Sequence, residues 1–214
     1  MNEFEINSMI SANPSGDFPE IDSGAFVDQT ARIIGNVHIA AGCYIGPYAV
    51  IRADEVAANG KVAPVRIGQD TNIQDGVIIH ALAGTEVTIG RRCSIAHGAI
   101  IHGAQIGRNV LVGMNAVLMD DAVIGAESII GAMSFVKAET IIPKRSMVVG
   151  NPAKIIKEVS DEMISWKTKG TRLYQQLPAD CHESLAEVEP LTEVPERLKM
   201  QESFYDTLRE FMKH

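Results

Sequence analysis

Closely spaced cysteines are missing from this sequence. Cys43, Cys93 and Cys181 stand far apart with no CxxC among them, which excludes a zinc ribbon, a redox motif and a disulfide framework. Such usage suits a reducing compartment, so a cytoplasmic location is expected. An excess of basic charge is missing too. Against 27 Asp and Glu there are 19 Lys and Arg, a net of −8, the wrong sign for holding nucleic acid or an anionic membrane by summed charge. Neither is an expected partner, and any anion the protein binds must be held locally. No apolar run is long enough for a membrane span, and the first twenty residues carry Glu3, Glu5, Asp17 and Glu20 in place of a basic start, unlike a signal peptide. What is there is an ordinary globular composition, 214 residues with 46% hydrophobic and 21% charged, enough chain for a core without disulfide or metal staples.

The strongest feature is an internal period of six. From Val27, aliphatic anchors recur at Ile33, Ile39, Ile45 and Ile51, then Ile67, Ile73 and Ile79, then Ile89, Ile95 and Ile101. After a one-residue slip the frame runs from Ile106 through Val112, Leu118, Ile124, Ile130, Val136 and Ile142 to Val148. Glycine often follows the anchor, as at Gly46, Gly68, Gly90 and Gly113, and a small residue sits four after it, as at Ala49, Cys93, Ala116 and Ser134. Helices repeat their apolar positions every three to four residues and half-buried strands every two, so the period excludes a helical bundle. Each hexad is one short strand plus a corner, with the anchor inward and the glycine easing the bend. Stacked hexads make a parallel β-helix in which no coil is stable alone. Cys43 and Cys93 fall at the small-residue position, where packing accounts for them.

The frame divides the chain into an N-terminal segment over 1–26, the β-helix over 27–153 and a helical extension over 154–214. The repeat stops at Gly150-Asn151-Pro152, and Ser160-Asp161-Glu162 opens a helix expected to run to about Leu177. Pro178, Pro190 and Pro195 break the chain, and Leu198, Phe204, Leu208, Phe211 and Met212 predict a second helix.

Two interruptions mark loops that leave the coil, often on the functional face. Ile51 to Ile67 spans sixteen residues, read as two hexads plus four; Ile79 to Ile89 spans ten, one hexad plus four. On that count residues twenty-two apart stack about 4.8 Å apart. Arg52, Gln74 and Ala96 then form one column, Asp75 lies beneath His97, and His80 lies beneath His102. Two stacked imidazoles can turn towards one ion, and a catalytic zinc typically takes three protein ligands plus water. His97 sits on the preceding wall, out of reach of an ion held by His80 and His102 of its own chain. A neighbouring subunit can supply it, and cyclic symmetry then gives one site per interface, as in a trimer. His38, His182 and His214 lack such company and are expected to be surface imidazoles.

The repeat resembles the hexapeptide-repeat superfamily over roughly residues 20–155, and this resemblance implies a left-handed, three-walled β-helix. The segments Arg52-Ala53-Asp54, Asn72-Ile73-Gln74-Asp75-Gly76, His80, Ile95-Ala96-His97-Gly98 and His102-Gly103 resemble the gamma-class carbonic anhydrase branch. Gly113-Met114-Asn115-Ala116, Gly150-Asn151-Pro152-Ala153-Lys154 and the Trp166 to Tyr174 helix point within it to the carnitine- and phenylacetate-operon (CaiE/PaaY-like) group. The resemblance implies His80, His97 and His102 as ligands of Zn2+, with Fe2+ or Co2+ as alternatives since imidazole suits several metals. It places Arg52, Asp54, Gln74 and Asp75 around the site and brings Tyr174 near it. Zinc lowers the pKa of bound water to about 7, making hydroxide available to attack CO2. Gln74 can orient that nucleophile and Arg52 offers a fork for bicarbonate. Glu55 and Glu86, on or beside the two inserted loops, are candidate proton carriers, and Ala81-Leu82-Ala83 follows His80 where some members of the family have an acidic residue, a departure that tells against fast hydration. The expected function is hydration of CO2 to bicarbonate in a homotrimer with intersubunit sites. The alternatives are hydrolysis of acyl-CoA thioesters at the same metal, and a hexapeptide acyltransferase or structural relative without hydratase activity.

Overall fold

The computed structural model describes residues 9–190. It is a left-handed parallel β-helix with one long C-terminal helix docked along its third wall. Three sheets form the walls. The first runs from Ile10–Ser11 through Arg32–Gly35, Val50–Ala53, Ile78–His80, Ile100–His102 and Val117–Leu118 to Phe135–Val136. The second runs from Glu20–Ile21 to Ile141–Ile142, and the third from Phe26–Val27 to Ser146–Val149, where Lys154–Glu158 adds an antiparallel edge. The sheets thus begin ahead of the expected boundary at residue 27, since Ile10 already pairs with Ile33 and Glu20 with His38.

The anchors stack inward in register. Ile33, Ile51, Ile79, Ile101 and Leu118 are fully buried on the first wall, and Ile45, Ile73, Ile95, Val112 and Ile130 on the third. Each buried aliphatic contributes about 1.5–3 kcal/mol, but only against the coils above and below it. The glycine after each anchor serves close approach instead of the bend. A Cβ at Gly90 would lie 2.5 Å from the Arg108 nitrogen of the next coil. The bend itself falls two residues later, where Tyr48, Asp70, Arg92, Asn109, Asp121, Glu127, Met133, Glu139 and Arg145 adopt the left-handed backbone.

Helix α1 spans Asp161–Ser184, with Ser160 as N-cap accepting from the Met163 N–H. It continues through Pro178 and past the expected end near Leu177. Proline in a helix interior costs about 3 kcal/mol, and docking offsets it: Lys167, Thr171 and Pro178 are buried, Tyr174 packs against Tyr44, and His182 sets its edge on Phe26. The second helix predicted from Leu198 lies outside the described residues. No helix among the described residues is long and apolar enough to cross a membrane.

Candidate functional site

Register on the first wall places three functional side chains in one column. His80 pairs with His102 on one side and with Arg52 on the other. The column expected for Arg52, with Gln74 and Ala96, is therefore corrected. Gln74 and Ala96 do stack on the third wall, following Asn72 with Ser94 and Ile73 with Ile95, but Arg52 belongs with the histidines. The reason lies in the first loop. It replaces a single corner, so Ile51 to Ile67 is one hexad plus ten, and Val65 and Ile67 enter the second wall directly beside Val37 and Ile39.

The His80 and His102 rings lie 5.3 Å apart at 54°. His80 is buried beneath the first loop, which brings Asp54 Oδ1 to 3.6 Å and Glu55 Oε1 to 3.4 Å from its Nε2. Both His80 Nε2 and Asp54 Oδ1 are buried without a hydrogen-bond partner among the described residues. Burial, reinforced by the Arg52 charge, holds the His80 imidazole below its ordinary pKa and keeps it neutral near pH 7. Arg52 Nη1 donates to Asp54 Oδ2 at 3.1 Å. Glu55 also accepts from the Ala83 N–H, so it ties the two inserted loops together. Glu86 is turned away from this cluster, accepting from Thr88 Oγ1.

His102 Nδ1 lies 2.5 Å from Asp120 Oδ1, which fixes the ring. Sequence reasoning missed Asp120. It stands one regular coil after His102, eighteen residues on, so the stacking rule itself could have found it. His97 lies at the corner following the third wall, its Nδ1 3.4 Å from Asp75 Oδ2, as the twenty-two-residue spacing predicts. The structure does not bring His97 to the His80–His102 pair. Among the described residues, no three His, Cys, Asp or Glu side chains of the chain are grouped to hold a metal ion.

Gln74 is oriented by a buried polar chain. Its Nε2 donates to Asn72 Oδ1, Asn72 Nδ2 donates to Ser94 Oγ, and Ser94 meets Thr171 of α1. Tyr174 lies farther along α1 and lines, with Gln74, Trp166 and Leu173, a cleft of about 280 Å³ between the helix and the third wall. Burial first and then the Asp75 charge raise its phenol pKa. His38 bonds to Glu20 and Asn36, His182 reaches across from α1 to the Ala25 carbonyl, and His214 lies outside the described residues.

Comparison with known proteins places these features in a lineage. Residues 103–138 match the model of the bacterial transferase hexapeptide (six repeats), and residues 86–119 that of the hexapeptide repeat of succinyl-transferase. A candidate acetyltransferase from Bacillus cereus superposes with a TM-score of 0.77 at 29% identity, covering 84% of this chain and 99% of that one. A hexapeptide transferase family protein from Anaplasma phagocytophilum gives 0.72 at 30% identity, covering 79% and 96%. The fold is that of the hexapeptide acyltransferase superfamily. The carnitine operon protein CaiE of Shigella flexneri is 46% identical over 181 residues, 85% of this chain and 89% of the relative. With nearly half of its residues shared along most of both proteins, the chain belongs to the CaiE family of hexapeptide-repeat proteins.

Proposed function

We propose that this chain is a metal-assisted enzyme that cleaves acyl thioesters at a site completed between the subunits of a homotrimer. The observation that carries the reading is the partnerless, buried Nε2 of His80 beside the His102 ring, whose other nitrogen is already held by Asp120. Metal-ligating histidines commonly have their second nitrogen held by a carboxylate, and both His102 and His97 are so placed, by Asp120 and Asp75. The donor set fits a divalent transition metal held by His80 and His102 with a neighbour's copy of His97. A bound ion would supply Lewis acidity that lowers the pKa of water to about 7. The chain's own groups do the rest. Arg52 places a cation one coil from His80 to receive a carbonyl or carboxylate oxygen, Gln74 presents a fixed amide, and Glu55, half-exposed beside His80, can pass a proton to solvent.

The wall that carries the histidines also supports the trimer. Val50, Ile78, Ile100, Val117 and Phe135 form an outward-facing apolar column two residues from the functional one. Ile78 is 42% exposed in the single chain. A second copy of this chain is the occupant that both covers this column and supplies the missing imidazole. The transferase names of the relatives favour acyl-group chemistry. Hydration of CO2 is the second reading, supported by the likeness of the histidine segments to gamma-class carbonic anhydrases.

The test combines metal analysis, native mass and activity on one zinc-loaded sample. About one ion per chain, a trimeric mass and thiol release from acetyl-CoA are expected, with His102→Ala losing both metal and activity. Hydration of CO2 in stopped flow without thiol release would select the second reading. A preparation that binds no metal, or a fully active His102→Ala variant, would reject both.

A further inference from the structure

An acidic chain that binds an anion must do so locally, and one cavity outside the histidine cluster is built for that purpose. Between α1 and the corner joining the second and third walls lies a cavity of about 100 Å³, lined by Arg92, Asn109, Thr168, Thr171, Arg172 and Gln175. Its lining holds two guanidinium groups and several amide and hydroxyl donors, and no carboxylate. Arg108 and Arg145 are paired with Glu127 and Asp161, and Arg52 with Asp54. Arg92 and Arg172 have no ion pair or side-chain hydrogen bond among the described residues.

Behind Asn109 stands a further cation that does not itself line the cavity. The buried ammonium of Lys167 donates to the Arg92 carbonyl and to Asn109 Oδ1. With its oxygen so occupied, Asn109 offers its Nδ2 as a donor. Two guanidinium side chains thus line a space about three times that of a water molecule, which suits a tetrahedral oxyanion. Guanidinium forks match phosphate oxygens in pairs, and such charge-assisted bonds are the strong ones.

We propose that Arg92 and Arg172, with Asn109, form a binding site for the phosphate group of a phosphorylated ligand. The cavity shares Thr171 with the larger cleft that holds Gln74, Trp166 and Tyr174, so an anionic end and an apolar end can lie on adjacent sides of α1. If the thioester reading above is right, the ligand is coenzyme A, held by a phosphate. Otherwise it is a free phosphorylated metabolite bound by the same chemistry.

Calorimetric titration distinguishes these. The probes are coenzyme A, dephospho-coenzyme A, pyrophosphate and pantetheine, tested on the full chain and on Arg92→Asn and Arg172→Gln, both exposed positions whose folding is checked by circular dichroism. Arg92→Asn keeps a residue at ease in the left-handed backbone found there. Coenzyme A is expected to bind and pantetheine to bind far more weakly, with each substitution costing about tenfold or more. Pyrophosphate binding that equals or exceeds that of coenzyme A would identify a free phosphate ligand. Absence of binding by every phosphate probe, or binding by both variants as tight as by the wild type, would overturn the site. Thioester hydrolysis measured with acetyl-CoA and with S-acetylpantetheine separates the two proposals. Phosphate binding that depends on the arginines without hydrolysis of either ester would retain the site and reject the thioesterase. Hydrolysis of both with unchanged KM in the variants would do the reverse.

Discussion

Lys167 links α1 to the coils, and its titration makes stability depend on pH above neutrality. The ammonium is buried, 4% exposed, and donates to Arg92 and Asn109. Burial lowers its pKa from 10.5 to about 8, with Cys93 opposing and Arg92 adding. The unfolded chain keeps this proton to about 10.5 and the folded chain releases it near 8, so between those values the unfolded state binds more protons and stability rises with pH. Working from those two values, the gain from pH 7 to pH 9 is about 1 kcal/mol, and about 3 kcal/mol over the whole window. The neutral amine still has two N–H groups for its two acceptors, so the anchor survives deprotonation. Cys43 and Cys93 act in the opposite direction. Burial raises both thiols to about 11, so each erodes stability above pH 9, and the measurement belongs between pH 7 and 9.

The assay is urea unfolding at fixed protein concentration, followed by the fluorescence of the single tryptophan, Trp166, which neighbours Lys167 on α1. The wild type should gain about 1 kcal/mol more than Lys167→Met between pH 7 and 9. A difference between the two proteins that stays flat across this range would refute the assignment of a displaced proton equilibrium to Lys167.

Gly90→Ala should cost about 3 kcal/mol or prevent folding, since its Cβ would meet the Arg108 nitrogen at 2.5 Å and the Gly107 carbonyl carbon at 2.7 Å; urea midpoints measure it. Glu139→Gly should do the opposite, because this exposed residue has φ 59°. Relief of left-handed strain less the entropy of glycine leaves a gain of about 0.5–1 kcal/mol, seen as a rise of a few degrees in Tm. Asp120→Asn should weaken zinc binding by about 10- to 100-fold in chelator competition while leaving the unfolding midpoint of metal-free protein nearly unchanged.

The architecture was legible because the period writes itself into every coil. An inward residue at Ile33, Ile39 or Ile45 has no alternative position once its neighbours are stacked, so even short strands declare their face. Stacking also made Asp75 under His97 and His80 under His102 readable. Gly46, Gly68 and Gly90 were visible, but their reason was not, since close approach of the next coil is a property of the assembled solenoid. The helix end was misjudged for a similar cause. Pro178 signals a break locally, and only docking of Tyr174 and His182 against Tyr44 and Phe26 overrides it.

The interval from Ile51 to Ile67 shows where counting fails. Sixteen residues satisfy two hexads plus four as well as one hexad plus ten, and the anchors alone do not choose. Backbone pairing does: the Val65 N–H donates to the Asn36 carbonyl of the preceding coil, which admits the loop at a single corner. The loop then turns back on itself through the Val56–Val62 bridge and lays Asp54 and Glu55 over His80. That one choice moves Arg52 from the third-wall column to a seat beside the histidines. It joins a cation, two imidazoles and two carboxylates on the same wall as an uncovered apolar column. A solenoid gains nothing by exposing such a column next to a partnerless buried nitrogen. Both are accounted for together if the first wall is the face that a second copy of the chain closes.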